Sequence, residues 1–156
     1  MANTRMRRIA SVCTLVLSFW CSTSHAQENE PLFATVDKPA VITATRRASA
    51  APIGRPEVIV GISRYHPSAD GSPVEVVVDG RVEGGSDREI GRFGVTPDRE
   101  FVADDPSDAQ RFRFALPPDF AAHMGAGKAV TFTVRLVAVR GSGKGASLRV
   151  ADVELP

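Results

Sequence analysis

The sequence contains few of the residues on which small exported proteins often depend: two cysteines, one tryptophan and one tyrosine. Both cysteines, Cys13 and Cys21, lie near the N-terminus. From residue 27 onward the chain therefore has no disulfide, thiolate nucleophile or cysteine metal ligand. Charge is nearly balanced, with 19 basic and 18 acidic residues, which argues against nucleic acid or an anionic membrane as the partner. After residue 26 no apolar run is long enough to span a bilayer.

The N-terminal segment has the three parts of a secretory signal. A stretch with three arginines precedes the apolar run IASVCTLVLSFW, and CSTSHA then places Ser24 and Ala26 at small-residue cleavage positions. We expect residues 1–26 to be a cleaved signal peptide, so that the protein is exported, either periplasmic or secreted. The general secretory route is favoured, because MRRIAS is a poor twin-arginine motif. Residues 27–31 are expected to be a flexible start, and residues 32–156 a single β-sandwich domain.

Eight stretches rich in Val, Ile, Thr and Phe, each bounded by Pro, Gly, Asp or Ser, predict the fold. They are LFATV, AVITATR, EVIVGIS, VEVVVDG, EIGRFGV, RFRFAL, VTFTVRLVAV and SLRVADVEL. This pattern predicts an all-β fold, an antiparallel β-sandwich of about seven to eight strands. In the clearest strand, 130–139, apolar residues alternate with Thr131, Thr133 and Arg135, which is typical of a half-buried antiparallel strand.

Two predicted strands change phase. Ile90 and Phe93 cannot share one face of a regular strand, and Leu148 is similarly out of step with Val153. We expect a β-bulge or a bend in each.

The connections also carry predictions. PPDFAAHMGAGK begins with proline and ends with glycine, and it predicts one short helix near 117–125 that docks Phe120 and Met124 on an open end of the sandwich. The segment 43–56 is either a linker or, as its composition favours, a crossover between strands. GSGKGAS is not a phosphate-binding loop because no helix follows it, and it is interpreted as a hairpin loop.

No catalytic constellation is evident. His66 and His123 lie at no metal-ligand spacing, and no serine occupies a nucleophile elbow. The acidic segment 98–108 is either part of a calcium site or a turn whose side chains cap their own backbone. We therefore predict that the chain is not an enzyme and has no catalytic, cofactor-binding or metal-binding residue.

One loop offers a contact for a partner. Tyr65 and His66 follow the strand EVIVGIS, and a tyrosine at a loop tip is a suitable interface anchor. The alternative is that Tyr65 folds back over the edge of the sandwich.

The order of the strands adds a resemblance. EVIVGI, VEVVVDG, GRF, FRFAL, VRLVAV and LRVADVEL, with the short helix before VRLVAV, resemble the C-terminal β domain of tyrosinases and polyphenol oxidases. The similarity extends over nearly all of residues 32–156. The chain departs from the family pattern at Asp79, where the family has Asn, and at Ala138, where it has Pro.

The resemblance implies a non-catalytic role. In that family two coppers are bound by six histidines on a preceding helical domain, which this chain does not contain. The β domain covers the entrance to the copper site, keeps the oxidase latent, and is linked to its folding or copper loading. A free-standing, exported copy is then expected to be an accessory or shielding partner of a separately encoded tyrosinase-like copper oxidase. The alternative is an independent module that binds an envelope protein or a glycan.

Overall fold

The computed structural model describes residues 32–45, 55–95, 99–125 and 127–156. The predicted signal peptide and the predicted flexible start lie outside the described residues. No helix in the described part of the chain is both long and apolar enough to cross a membrane.

The described chain forms nine strands, one α-helix and a short 3-10 helix. The strands are β1 Leu32–Thr35, β2 Ala40–Thr45, β3 Glu57–His66, β4 Val74–Val82, β5 Arg88–Gly94, β6 Phe101–Val102, β7 Gln110–Ala115, β8 Ala129–Ala138 and β9 Ser147–Glu154; the helices are Pro106–Asp108 (3-10) and α1, Pro118–Gly125.

The strands make two antiparallel sheets. In the five-stranded sheet the order is β1-β9-β3, and the second edge of β3 pairs with β7 along one part and with β6 along another. The four-stranded sheet has the order β2-β8-β4-β5. The predicted fold class, an all-β antiparallel sandwich, is confirmed. The two-residue strand β6 lies within the acidic segment, where the sequence had shown no strand pattern.

The core lies between the two sheets and is built from alternate residues of each strand. On β8, Val130, Phe132, Val134 and Leu136 are buried, and the residues between them are partly exposed, as the alternation predicts. A fully buried apolar side chain of this size contributes about 1.5–3 kcal/mol. On β4, Val77 is also buried although it points away from the core, which suits the inner position of that strand.

Both predicted irregularities are present. The pairing of β4 with β5 shifts its register next to Val78, where Gly91 is the partner of Val78 and Glu89 the partner of Asp79. The pairing of β3 with β9 shifts on either side of Ile62, whose partner is Val150. A shift of one residue changes the face on which each side chain lies, and this restores the apolar residues beyond it to the core.

Helix α1 covers one end of the sandwich. Phe120 and Met124, four residues apart on one face, are 2% and 3% exposed and belong to the core. The Phe120 ring lies near Gly80 of β4, where only a hydrogen points toward it. The predicted position of the helix and its two docking residues are confirmed.

The connections join the two sheets. β8 belongs to the four-stranded sheet and β9 to the five-stranded sheet, so the interpretation of GSGKGAS as a hairpin loop is wrong. The Asp70 carboxylate, in the loop between β3 and β4, accepts hydrogen bonds from the Ser142 hydroxyl at 2.6 Å and from the Ser72 amide at 3.0 Å. The bond from Ser142 joins this loop to the loop between β8 and β9, and the bond from Ser72 lies within the first loop. The connection between β2 and β3 also joins the two sheets, and its residues 46–54 lie outside the described part.

Candidate interaction surface

The outer face of the five-stranded sheet carries four exposed side chains in one row across four strands. Val102 of β6 is opposite Arg64 of β3, Arg64 is opposite Arg149 of β9, and Arg149 is opposite Phe33 of β1. Residues directly opposite in a β-ladder project to the same face, so these four side chains are neighbours. We call Phe33, Arg149, Arg64 and Val102 the cross-strand row.

The row combines apolar and cationic groups. Phe33 is 44% exposed and Val102 is 50% exposed, and they are two of the four exposed large hydrophobic residues in the described part of the chain. Single exposed apolar side chains are common on protein surfaces. Here, however, both flank a pair of arginines, and aromatic residues and arginine are the types enriched at the centres of protein interfaces. Three of the four residues of the row, Phe33, Arg64 and Arg149, are therefore of types that are enriched at interfaces.

The charges at the row are not fully compensated. The Arg64 guanidinium donates a hydrogen bond of 3.0 Å to Glu100, and His66 lies 3.8 Å from the same carboxylate. The hydrogen bond from Arg64 is the main cause of the lowered pKa of Glu100. Arg149 is exposed, and its guanidinium makes no hydrogen bond or ion pair with any other described residue. The row therefore presents one cation that is not neutralised within the described chain.

Farther along the same face the charges are paired. Arg111 of β7 extends across Gly61 of β3 and donates hydrogen bonds to Asp152 at 3.1 Å and Glu154 at 2.8 Å. A Cβ atom at residue 61 would overlap with the Asp152 carboxylate, so a larger residue there would have to displace this side chain. The Glu154 carboxylate is the first cause of the raised pKa of Arg111. This part of the face offers a partner little net charge.

The outer face of the four-stranded sheet is also internally paired. Arg135 donates a hydrogen bond of 2.5 Å to Asp79, and Arg92 contacts both Glu89 and Glu75. The carboxylate of Glu89 is the main cause of the raised pKa of Arg92. Arg135 and Arg92 are each paired with a neighbouring acid, whereas Arg149 on the opposite face has no such partner among the described residues.

Of the two predicted partner contacts, one is buried. Tyr65 lies within β3, not at a loop tip, and its side chain is only 1% exposed and packs in the core. The expectation of an exposed tyrosine anchor is corrected. The register shift next to Ile62 causes this, because it turns residue 65 inward and residues 64 and 66 outward. The His66 side chain is 54% exposed and lies beside the cross-strand row.

The acidic segment forms a self-capped turn. Asp105 accepts hydrogen bonds from the amide and the hydroxyl of Ser107, at 2.8 and 2.7 Å, just where the short 3-10 helix begins. The amide bond is the main cause of the lowered pKa of Asp105. Asp98 lies outside the described residues. Within the described ranges no three His, Cys, Asp or Glu side chains are grouped as metal ligands would be.

His123, the second histidine named in the sequence analysis, lies in the last turn of α1. Its Nε2 atom is buried and has no hydrogen-bond partner in the described part of the structure. His123 is not part of the cross-strand row, because α1 packs against β8 of the other sheet.

Sequence reasoning missed most of the cross-strand row. Its members are separated by up to 116 positions in the chain, from Phe33 to Arg149. Neither the outward position of Phe33 nor the pairing of its strand with β9 is visible in the sequence.

Comparison of the chain with protein-family models, with curated proteins and with solved structures found no match in any of the three.

Proposed function

We propose that the protein is a non-catalytic, exported accessory partner of a separately encoded tyrosinase-like copper oxidase, and that it binds this oxidase through the cross-strand row. The single observation that carries the proposal is the row itself. It places an exposed aromatic ring, an exposed valine and an uncompensated arginine side by side on a rigid sheet.

The segments on which the resemblance to the oxidase β domain rests lie in β3, β4, β5, β7, β8 and β9, and α1 lies between β7 and β8. These six strands include the inner strands of both sheets. The resemblance therefore lies in the strands that form the centre of the sandwich. We infer the partner from the exposed side chains instead.

The chemistry of the row defines the partner surface. Arg149 requires an acidic group, because burying a cation without a partner costs several kcal/mol. Phe33 and Val102 require an apolar depression on either side of that group. We expect the oxidase to present a carboxylate flanked by apolar residues at the rim of its copper-site entrance, where a bound β-sandwich would exclude substrate.

The test is a capture experiment on the full chain, carrying a C-terminal tag and expressed in its own host. Captured proteins are identified by mass spectrometry, and the eluate is tested for copper and for oxidation of a diphenol. We expect recovery of a histidine-rich copper oxidase that lacks its own β domain, with activity that rises when the two proteins are dissociated.

Two charge-reversal variants test whether the cross-strand row is the surface that binds the oxidase. Arg149→Glu should weaken the affinity for the captured oxidase at least tenfold, which is about 1.4 kcal/mol or more. The control is Arg140→Glu, since Arg140 is an exposed arginine in the loop after β8 that has no hydrogen bond or ion pair with the other described residues. Equal loss in both variants would contradict the assignment of the row.

The competing function is an independent module that binds an envelope protein or a glycan. Recovery of envelope proteins or glycans without any oxidase would support it and would rule out the accessory role. For a glycan the row offers a single stacking ring, that of Phe33, because Tyr65 is buried.

A further inference from the structure

Strand β2 is an end strand of the four-stranded sheet, and its free edge pairs with no strand in the described part of the chain. Its sequence, Ala-Val-Ile-Thr-Ala-Thr, contains no charge and no proline. Val41, Thr43 and Thr45 are exposed on the outer face. Such an edge offers unpaired backbone N–H and C=O groups to another strand.

The other edges of the sandwich are protected against such pairing. β5, at the opposite end of the same sheet, carries Arg88, Glu89 and Arg92. β7 carries Arg111 and Arg113, and β6 has only two residues. β1 is uncharged but has only four residues. Charged side chains and short length are the usual means by which natural sheets prevent edge-to-edge association, and β2 has neither.

We propose that β2 pairs in antiparallel orientation with β2 of a second copy of this chain, so that one sheet continues through both copies. A two-fold axis makes this contact self-complementary, with the same residues on both sides. An uncharged strand presents no charge that would select an acidic or basic partner strand, and it meets its own copy without repulsion. The nearest charged residues in the sequence, Lys38 and Arg46, lie outside the strand.

The pairing geometry restricts the register. Opposite residues must project to the same face, so Thr43 has Val41, Thr43 or Thr45 of the second copy opposite to it. In each of these registers the two Thr43 side chains are directly opposite or diagonal neighbours. Opposed threonine and valine side chains are favourable cross-strand pairs. The contact is small, so we expect a weak, concentration-dependent dimer.

The experiment is sedimentation velocity or light scattering of the purified full chain over a concentration series. We expect the molar mass of the wild type to rise towards twice the monomer value. Val41→Lys should abolish this rise, whereas Val139→Lys, at a valine that is also 53% exposed but follows β8, should leave it unchanged. Circular dichroism confirms that each variant is folded.

A charge exchange tests the pairing itself. Thr43→Lys and Thr43→Glu should each be monomeric alone, because like charges face one another, and an equimolar mixture should form a heterodimer. A wild type that stays monomeric throughout, or a mixture that does not associate, would overturn the proposal. The test does not require the oxidase, so its outcome is independent of the proposed function.

Discussion

The contact between Phe120 and Gly80 provides a quantitative test of how α1 is fixed to the sandwich. Phe120 is 2% exposed, and a Cβ atom added at residue 80 would lie 2.7 Å from its ring and 3.1 Å from Ile90. Replacing the ring by alanine removes a buried phenyl group and leaves a cavity. We expect Phe120→Ala to lower the free energy of unfolding by about 3–5 kcal/mol.

The second substitution depends on the first. In the wild type, Gly80→Ala forces the new methyl group against the ring, which costs about 1–3 kcal/mol. It also gains about 0.5–1 kcal/mol, because alanine loses less backbone entropy than glycine in a strand. The net loss in the wild type is then about 0–2.5 kcal/mol. In the Phe120→Ala background the ring is absent, and Gly80→Ala should be close to neutral or stabilising.

Urea denaturation followed by circular dichroism measures all four proteins of this double-mutant cycle. If Phe120→Ala leaves too little stability to measure, Phe120→Leu replaces it in the same cycle. Arg88→Ala serves as a control for the cation that lies 5.2 Å from the ring centroid, and it should cost no more than about 1 kcal/mol. If the effect of Gly80→Ala is the same in both backgrounds, the ring and residue 80 are not in contact and the reasoning is refuted.

Two further predictions concern buried or shared carboxylates. The Ser142 hydroxyl is the first cause of the lowered pKa of Asp70, so this carboxylate stabilises the fold above its ordinary pKa of about 4, and the stabilisation is lost as the pH falls below it. The difference in unfolding midpoint between wild type and Asp70→Asn should therefore shrink between neutral pH and acid; a constant difference would contradict the role of the charge. Arg135→Ala should cost about 1–3 kcal/mol in urea unfolding, because Asp79, 9% exposed, loses its partner. Arg113 is 63% exposed, so Arg113→Ala should lower the free energy of unfolding by about 1 kcal/mol at most. If Arg135→Ala and Arg113→Ala lower it equally, the low exposure of Asp79 has no special effect.

The local patterns of the sequence were sufficient for eight of the nine described strands and for helix α1, but not for the two-residue strand β6. Alternation on β8 gives its buried face directly, and the slip between Ile90 and Phe93 marks the irregular strand. The proline and glycine that bound α1 give its limits, and its apolar spacing gives Phe120 and Met124. Each of these features depends on residues that are close together in the chain, which is why a pattern in the sequence can report them.

The pairing of strands depends on residues that are distant in the chain, and only the tertiary structure decided it. A period of two shows that a strand has a buried face but not which strand lies beside it, so GSGKGAS was interpreted as a hairpin although it joins two sheets. The same limit applies to the surface. Tyr65 turns inward because the register shifts next to Ile62, and Phe33 and Arg149 meet because β1 pairs with β9. The sequence alone determined which residues alternate between core and solvent; the register between strands determined which of the exposed ones stand together.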